Sequence, residues 1–380
     1  MKKLKDNDSK FNLYVFLSTF ARNLIEVFIP IILLKNGFSF KEVMFYFLLA
    51  NLFCVLIDYP FALFSKRFSN RALAIIGIIS FFLLQIILNF IKLDTFYLIN
   101  VAFLFAVYRQ AYWMSRRFYN LKILRGTDLA KKYSIISVIN QLGVVISAYV
   151  GSLILDYVNV TVLTLISIII FTLALVVLYF LKFDHEKNSE KIEFIKTIKS
   201  IPKQDIFHFG CYELLHIIKF LFAIYIFMYI KDNYQTIGIV NVVTNVSIML
   251  FSYFYGRYTD KKRNLLHLSI LLVVLVYIFK ANSINYLIIL ISFFEGIVLK
   301  MYEISLNSYL YNLSKKYEYY NYNLVYQIVI NSFRTVVMFI LYISNFDLRT
   351  MIYFTLLIIL LGVFVPFVDV DKRKYKVIDK

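Results

Sequence analysis

Eleven ionisable side chains lie inside apolar stretches of this sequence: Arg22, Glu26, Asp58, Arg109, Glu213, His216, Lys219, Glu295, Lys300, Glu303 and Arg334. At the centre of a membrane-spanning helix, Arg, Lys or Asp costs about +2.5 to +3.5 kcal/mol on insertion scales, so such groups face a bundle interior or a water-filled cavity. With a helical rise of about 1.5 Å per residue, Arg22, Arg109, Lys219, Glu295 and Arg334 fall near the middle of their stretches. Guanidinium forks suit carboxylate and phosphate. Arg22, Arg109, Lys219 and Arg334, with Asn331 and Tyr112 as hydrogen-bonding neighbours, are therefore the candidate substrate-binding set, and a small organic anion is the expected substrate. Because a carboxylate in a partly desolvated cavity can exchange a proton, Glu295 and Glu26 are the candidates for proton coupling, with His216 beside them.

These groups have other readings. Arg22 and Glu26 are four apart on one helical face and can form a purely structural pair. Lys219 and Glu295 lie at matched depth and can pair across helices. Asp58 lies toward one end of its stretch and fits a gate, with Arg116 or Arg117 as partner. Asn140, Gln141, Asn241, Asn245, Gln327 and Asn331 either contact a ligand or hold helices together. Glu213-Leu-Leu-His216 is half of a helical di-iron motif, and the second Glu/His pair is missing, so no metal is expected. Cys54 and Cys211 fall inside apolar runs, which leaves no disulfide framework. Neither a phosphate-binding loop nor a Gly-x-Ser-x-Gly or His-Glu-x-x-His motif occurs, so neither a cofactor nor an enzymatic role is expected. Trp113, Tyr97, Tyr157 and Tyr286 read as anchors at the membrane surface.

Positioning these side chains falls to long apolar helices. The chain has 380 residues, of which 61% are hydrophobic and 17% charged. A soluble domain has about 45–50% apolar residues and about 25% charged ones. Apolar stretches of membrane-spanning length recur at 11–34, 41–63, 71–91, 95–115, 134–155, 160–181, 206–230, 235–255, 265–281, 284–306, 322–343 and 349–368. The expected fold is an all-α polytopic membrane protein with twelve transmembrane helices. The 41 Lys and Arg follow that topology: thirty lie in one alternating set of connections and their flanks, and six (Lys35, Lys41, Lys92, Lys231, Lys280, Arg349) in the other. Cytoplasmic loops carry the basic excess, so both termini are expected in the cytoplasm. The net charge of +18 thus points to anionic lipid at the inner surface and away from nucleic acid. The first apolar stretch is too long for a cleaved signal and reads as a signal-anchor.

The polar segment 182–205 leaves six stretches on either side. The expected organisation is a six-helix bundle at 1–181, a cytoplasmic linker at 182–205, a second six-helix bundle at 206–370 and a cytoplasmic tail at 371–380. Val138-Ile139-Asn140 and Val329-Ile330-Asn331 repeat at an offset of 191 residues, in stretches five and eleven, as an internal duplication requires.

Gly256-Arg257-Tyr258-Thr259-Asp260-Lys261-Lys262-Arg263, between stretches eight and nine, resembles the Gly-x-x-x-Asp-Arg/Lys loop of the major facilitator superfamily. In that family the motif joins spans two and three, with a weaker copy between eight and nine. Here the first copy, Ala62 to Arg71, has Ala62 for the Gly and Lys66 for the Asp, and keeps Arg67 and Arg71. The resemblance implies pseudo-symmetric bundles, spans one, four, seven and ten around a central cavity, and gating roles for Asp58, Arg67, Gly256 and Asp260. Stretches three, six, nine and twelve, which face lipid in the family, have no charged residue in their interior.

Together these features predict a monomeric secondary active transporter. It would move a small solute by alternating access in a cell membrane, with the Lys-, Asn- and Ile-rich composition pointing to a bacterial cytoplasmic membrane. A multidrug/proton antiporter for lipophilic cations and a non-transporting scaffold or receptor are the alternatives.

Overall fold

The structure is a computed structural model that describes residues 2–123, 129–181, 191–255, 265–283, 287–314 and 319–365. Within these residues the chain is helical apart from short connections, and twelve helical segments occupy the positions of the twelve apolar stretches. Eight are long and apolar enough to cross a membrane, and Leu266–Asn282 and Leu348–Phe364 are shorter apolar helices. The other two, Thr95–Ile123 and Leu287–Ser314, are long but carry several charged residues.

Span one is broken: Lys2–Asn23 ends, a short tight turn covers Glu26–Phe28, and Ile29–Lys35 resumes the helix. Pro30 has no N–H to give the Glu26 carbonyl, which bonds Ile29 instead. Spans two to six are Phe40–Arg67, Asn70–Ile87, Thr95–Ile123, Leu129–Tyr157 and Val160–Tyr179. Span seven comprises Lys203–Glu213, Leu215–Tyr225 and a widened turn Ile226–Ile230. Spans eight to twelve are Tyr234–Tyr255, Leu265–Asn282, Leu287–Ser314, Tyr319–Ile343 and Leu348–Phe364. The breaks at Leu24 and Leu214 lie 190 residues apart, close to the offset of the asparagine repeat.

Sequence signals set the helix starts. Ser39 and Glu42 form a reciprocal capping box at span two, Ser69 caps span three, Asn159 caps span six and Asp347 caps span twelve. Gly37 takes a φ of 100° in the turn between spans one and two, a backbone region that favours glycine.

Packing repeats with a shift of six. Span four packs on two and three as ten packs on eight and nine; span one packs on five and six as seven packs on eleven and twelve. The two halves meet where span two lies along span eleven and span five along span eight. Gly238 lets spans five and eight approach, because a Cβ there would come within 2.6 Å of the Ser152 Cβ.

At the end of the molecule that carries Lys35, Asp156 of span five accepts the backbone N–H groups of Tyr234 (3.1 Å) and Gln235 (2.7 Å), the first residues of span eight. Lys35 reaches Asp232 at 3.8 Å and lies 4.2 Å from the Tyr234 ring centroid. At the Arg67 end, the Tyr320 hydroxyl of span eleven bonds Ser65 and donates to the Ala62 carbonyl (3.3 Å). Side-chain contacts thus join the halves at both ends.

The segment expected as a polar linker holds a short helix, Phe194–Ser200, packed on span eleven. Asn321 fixes its start by accepting from the Glu193 N–H (2.8 Å) and donating to the Lys191 carbonyl (2.7 Å). The Lys196 ammonium, 2.7 Å away, holds the Glu193 carboxyl below the usual carboxylate range. Linker residues 182–190, the tail 371–380, Gly256 and Asp260 lie outside the described residues.

Candidate functional site

The polar interior centres on Asp58, Arg109, Asn331, Arg334 and Glu213, supplied by spans two, four, eleven, eleven and seven. Asp58 is fully buried. Its Oδ2 accepts from Asn331 Nδ2 at 2.9 Å, and its Oδ1 has no hydrogen-bond partner among the described residues. Asn331 Oδ1 accepts at long range from Arg109 Nη2 (3.4 Å) and Arg334 Nη1 (3.5 Å). Arg334 Nη2 donates to Glu213 Oε2 at 2.8 Å. Glu213 also accepts from the Tyr326 hydroxyl and lies 3.3 Å from His216 Nε2. One connected chain of polar contacts therefore crosses from the first half of the molecule to the second.

Arg109 has no carboxylate partner among the described residues. Its Nη2 donates to Asn51 Oδ1 (3.0 Å) and Cys54 Sγ (2.9 Å), and the described bonds use neither Nη1 nor Nε. On span seven, His216 has a side chain 60% exposed, and Lys219 is exposed too. His216 lies between Glu213, which meets span eleven, and Phe220, whose ring stacks on Phe47 of span two. Its exposure is thus to space between the spans, as in a water-accessible interior.

The break in span seven has a visible cause. The Tyr302 hydroxyl of span ten donates to the Tyr212 carbonyl (2.9 Å), and Arg334 Nε donates to the Glu213 carbonyl (3.2 Å). Side chains from neighbouring spans take up these carbonyls, at a bend one turn after Gly210 that contains no Pro. Arg334 thus holds the broken backbone and the Glu213 side chain together.

A second cluster lies between spans one, four and five. Arg22 is buried, with Nε 3.3 Å from Glu26 Oε2. Arg116 is equally buried, yet among the described residues its acceptors are neutral: Tyr112 Oη (2.7 Å), Asn140 Oδ1 (2.8 Å) and Thr19 Oγ1 (3.3 Å). Tyr112 also bonds Ser18 (3.2 Å). The Arg22 and Arg116 guanidinium carbons lie 5.0 and 5.3 Å from the Trp113 ring centroid. Trp113, expected as a surface anchor, therefore lies within cation–π range of two buried cations. Asn140 and Asn331, the repeated asparagines, each accept from an arginine of span four.

Partner choice differs from expectation at Asp58 and at Glu295. Asp58 bonds Asn331, because Arg116 is turned toward spans one and five and Arg117 toward Gln327. Glu295 pairs with Lys280 and accepts from the Tyr277 hydroxyl (2.7 Å), both of span nine, rather than with Lys219. Lys280, counted with the outer connections because it flanks the end of stretch nine, is buried in the last turn of span nine and paired with Glu295 of span ten. Arg67 lies 5.6 Å from the Phe68 ring at the end of span two, whereas Arg71 bonds the Leu181 carbonyl at the end of span six. Lys300 Nζ reaches Glu303 (3.2 Å) and Ser137 of span five (3.3 Å).

Sequence reasoning leaves Asn51, Tyr326, Tyr277 and Lys280 out of the site. Tyr277 and Lys280, three apart on one helical face, are the signal available for a partner to Glu295. Among the described residues no group of three His, Cys, Asp or Glu could hold a metal ion.

No curated protein matches the sequence. The solved structure of a point mutant of the nucleoside transporter NupG is similar in fold: the TM-score is 0.69 at 12% identity, over 94% of this chain and 98% of that one. A family model described as Major Facilitator Superfamily matches residues 11–230, more than half of the chain. With broken spans, half-to-half packing and a charged interior already in view, that match fixes the family: the chain belongs to the major facilitator superfamily and is a multi-pass membrane protein, a secondary transporter of a small molecule rather than an enzyme.

Proposed function

We propose that the transported solute is a small organic anion and that its uptake is coupled to protons. One observation carries the anion reading. Arg109 is pinned through a single nitrogen by Asn51 and Cys54, has no carboxylate partner among the described residues, and keeps two more N–H-bearing nitrogens for a ligand. Lys219, exposed on span seven one turn from His216, adds positive charge. Arg22 and Arg334, both paired, set the field around the site, and Asn331 and Tyr112 orient its arginines.

In this reading twelve segments cross the membrane, the Arg67 end and both termini face the cytoplasm, and anionic lipid meets the basic loops. The bundles 1–181 and 206–370 rock about the midplane site, with Asp58, Arg67, Gly256 and Asp260 on the gating side. Asp58 is our first candidate for the proton carrier. Its bonded partner is a neutral amide from the opposite half, so taking up a proton there removes a buried charge at the half-to-half contact. Glu295, Glu26 and His216 follow, each beside an opposite or shared charge.

Thermal-shift screening of the purified protein tests the substrate class. Pools of organic anions, zwitterions, sugars, nucleosides and lipophilic cations are compared, nucleosides being included for the fold likeness alone. A ligand at 100 times its dissociation constant stabilises by about 2.7 kcal/mol. Stabilisation by anions, absent in Arg109→Ala, is the expected result. Stabilisation by lipophilic cations alone would replace the anion reading with drug export.

A further inference from the structure

Phe47 of span two and Phe220 of span seven lie face to face, with ring centroids 3.8 Å apart and planes 6° from parallel. One ring comes from each half of the molecule. Aromatic pairs ordinarily favour offset or edge-on arrangements with centroids about 4.5–7 Å apart, so this pair is a close, nearly parallel sandwich.

The residues beneath the two rings are polar in register. One turn below Phe47 stands Asn51, whose Nδ2 bonds the Phe47 carbonyl (2.8 Å) and whose Oδ1 holds Arg109 (3.0 Å). The next turns bring Cys54 and then Asp58. On the other side, one turn below Phe220 stands His216, and a turn below that Glu213, tied to Arg334. Beneath the phenyl pair, then, Arg109 is held on the span-two side and His216 stands on the span-seven side, and the Asp58–Asn331–Arg334–Glu213 chain joins the two sides below them. From Phe220 to Glu213 the drop is seven residues, about 10 Å at the helical rise. That depth fits a molecule of one or two rings.

We propose that Phe47 and Phe220 are the cover of the substrate site, and that the substrate is an acid carrying a flat unsaturated ring. When the two halves move apart the phenyl faces separate. A planar ring then takes the stacking that the phenyl groups give each other in the closed pair, while its acid group reaches the two free nitrogens of Arg109. This rests on the anion reading and adds the chemistry of the substrate's apolar part.

Binding of benzoate, cyclohexanecarboxylate and acetate to the detergent-purified full chain tests it by calorimetry, with Phe47→Leu, Phe220→Leu and Arg109→Gln in parallel. Benzoate and cyclohexanecarboxylate share an acid group and differ in ring flatness. Benzoate is expected to bind about tenfold tighter, the scale of one or two aromatic contacts. Each Phe→Leu change brings that ratio close to one and leaves cyclohexanecarboxylate within about twofold of its original affinity. Equal binding of the two ring acids by the unaltered protein overturns the inference but leaves the anion reading standing. A preference for benzoate that survives both leucine variants overturns the cover. If none of the three acids binds, the anion reading falls and this inference with it. Should a leucine variant fail to fold, the ratio in the unaltered protein decides the substrate class, and Phe→Tyr at the same position decides the cover by retaining the preference.

Discussion

Asn331 of span eleven donates to Asp58 of span two at 2.9 Å, and the two residues belong to opposite halves of the chain. The other carboxylate oxygen has no hydrogen-bond partner among the described residues, so the contact between halves and the charge state of Asp58 depend on each other. A rocking motion that separates spans two and eleven strips a buried carboxylate of its donor.

Asn331→Leu is therefore expected to destabilise the resting state by about 1–3 kcal/mol, the cost of leaving a buried polar group unsatisfied. Adding Asp58→Asn restores most of that loss, because the unsatisfied charge is gone. Thermal melts of the single and double variants in detergent measure both terms, and additive losses would remove the coupling.

Arg109→Gln is expected to abolish anion-dependent thermal stabilisation and to leave the ligand-free melting temperature nearly unchanged. Arg109→Lys keeps a charge but cannot hold Asn51 and Cys54 while also offering a planar fork. It should weaken anion binding by about tenfold, or about 1.4 kcal/mol. Undiminished binding by Arg109→Gln would transfer the anion site to another cation.

Glu295 and Lys280 form a deeply buried pair, and removing one partner leaves an uncompensated charge, at about 3–5 kcal/mol. Glu295→Gln alone should unfold at markedly lower temperature, and Lys280→Met with Glu295→Gln should recover. In that recovered double variant, uptake driven by a pH gradient in proteoliposomes is expected to persist, since Asp58 is intact. Loss of gradient-driven uptake with exchange preserved would return the proton to Glu295.

Asp156→Ala removes the acceptor for two backbone donors at the start of span eight, a cap worth about 1 kcal/mol. The balance should move about fivefold toward states open at the Lys35 end. Spin labels at Val158 and Met228, both exposed, report this as a longer distance population. An unchanged distribution would mean that the cap does not hold that end closed.

Much of this architecture is legible in the order of residues. Each helical segment answers to an apolar run, and the caps at Ser39, Ser69, Asn159 and Asp347 mark where helices begin. The interior charges are legible as well, because a charged residue in an apolar run is conspicuous. Their partners are not. Whether Asp58 meets Arg116, Arg117 or Asn331 depends on helix rotation, which spacing along one helix does not fix. Lys280 departs from expectation for a related reason: whether a lysine in the last turn of a helix reaches outward or folds inward onto a neighbouring span depends on the rotation of that helix. The break in span seven has no local signal, since its cause is two donors from spans ten and eleven. Phe47 and Phe220 are two phenylalanines among 39, and only their meeting across the halves sets them apart.

Trp113 is the sole tryptophan of the chain, and its ring lies close to both Arg22 of span one and Arg116 of span four. Indole emission is sensitive to nearby charge, so the native protein carries an optical probe of its own interior. Shifts in the distance of either guanidinium change the colour or yield of a single emitter, with no other indole in the chain to mask them. Ligand entry and bundle movement can thus be followed in real time, in unlabelled protein, by ultraviolet stopped-flow.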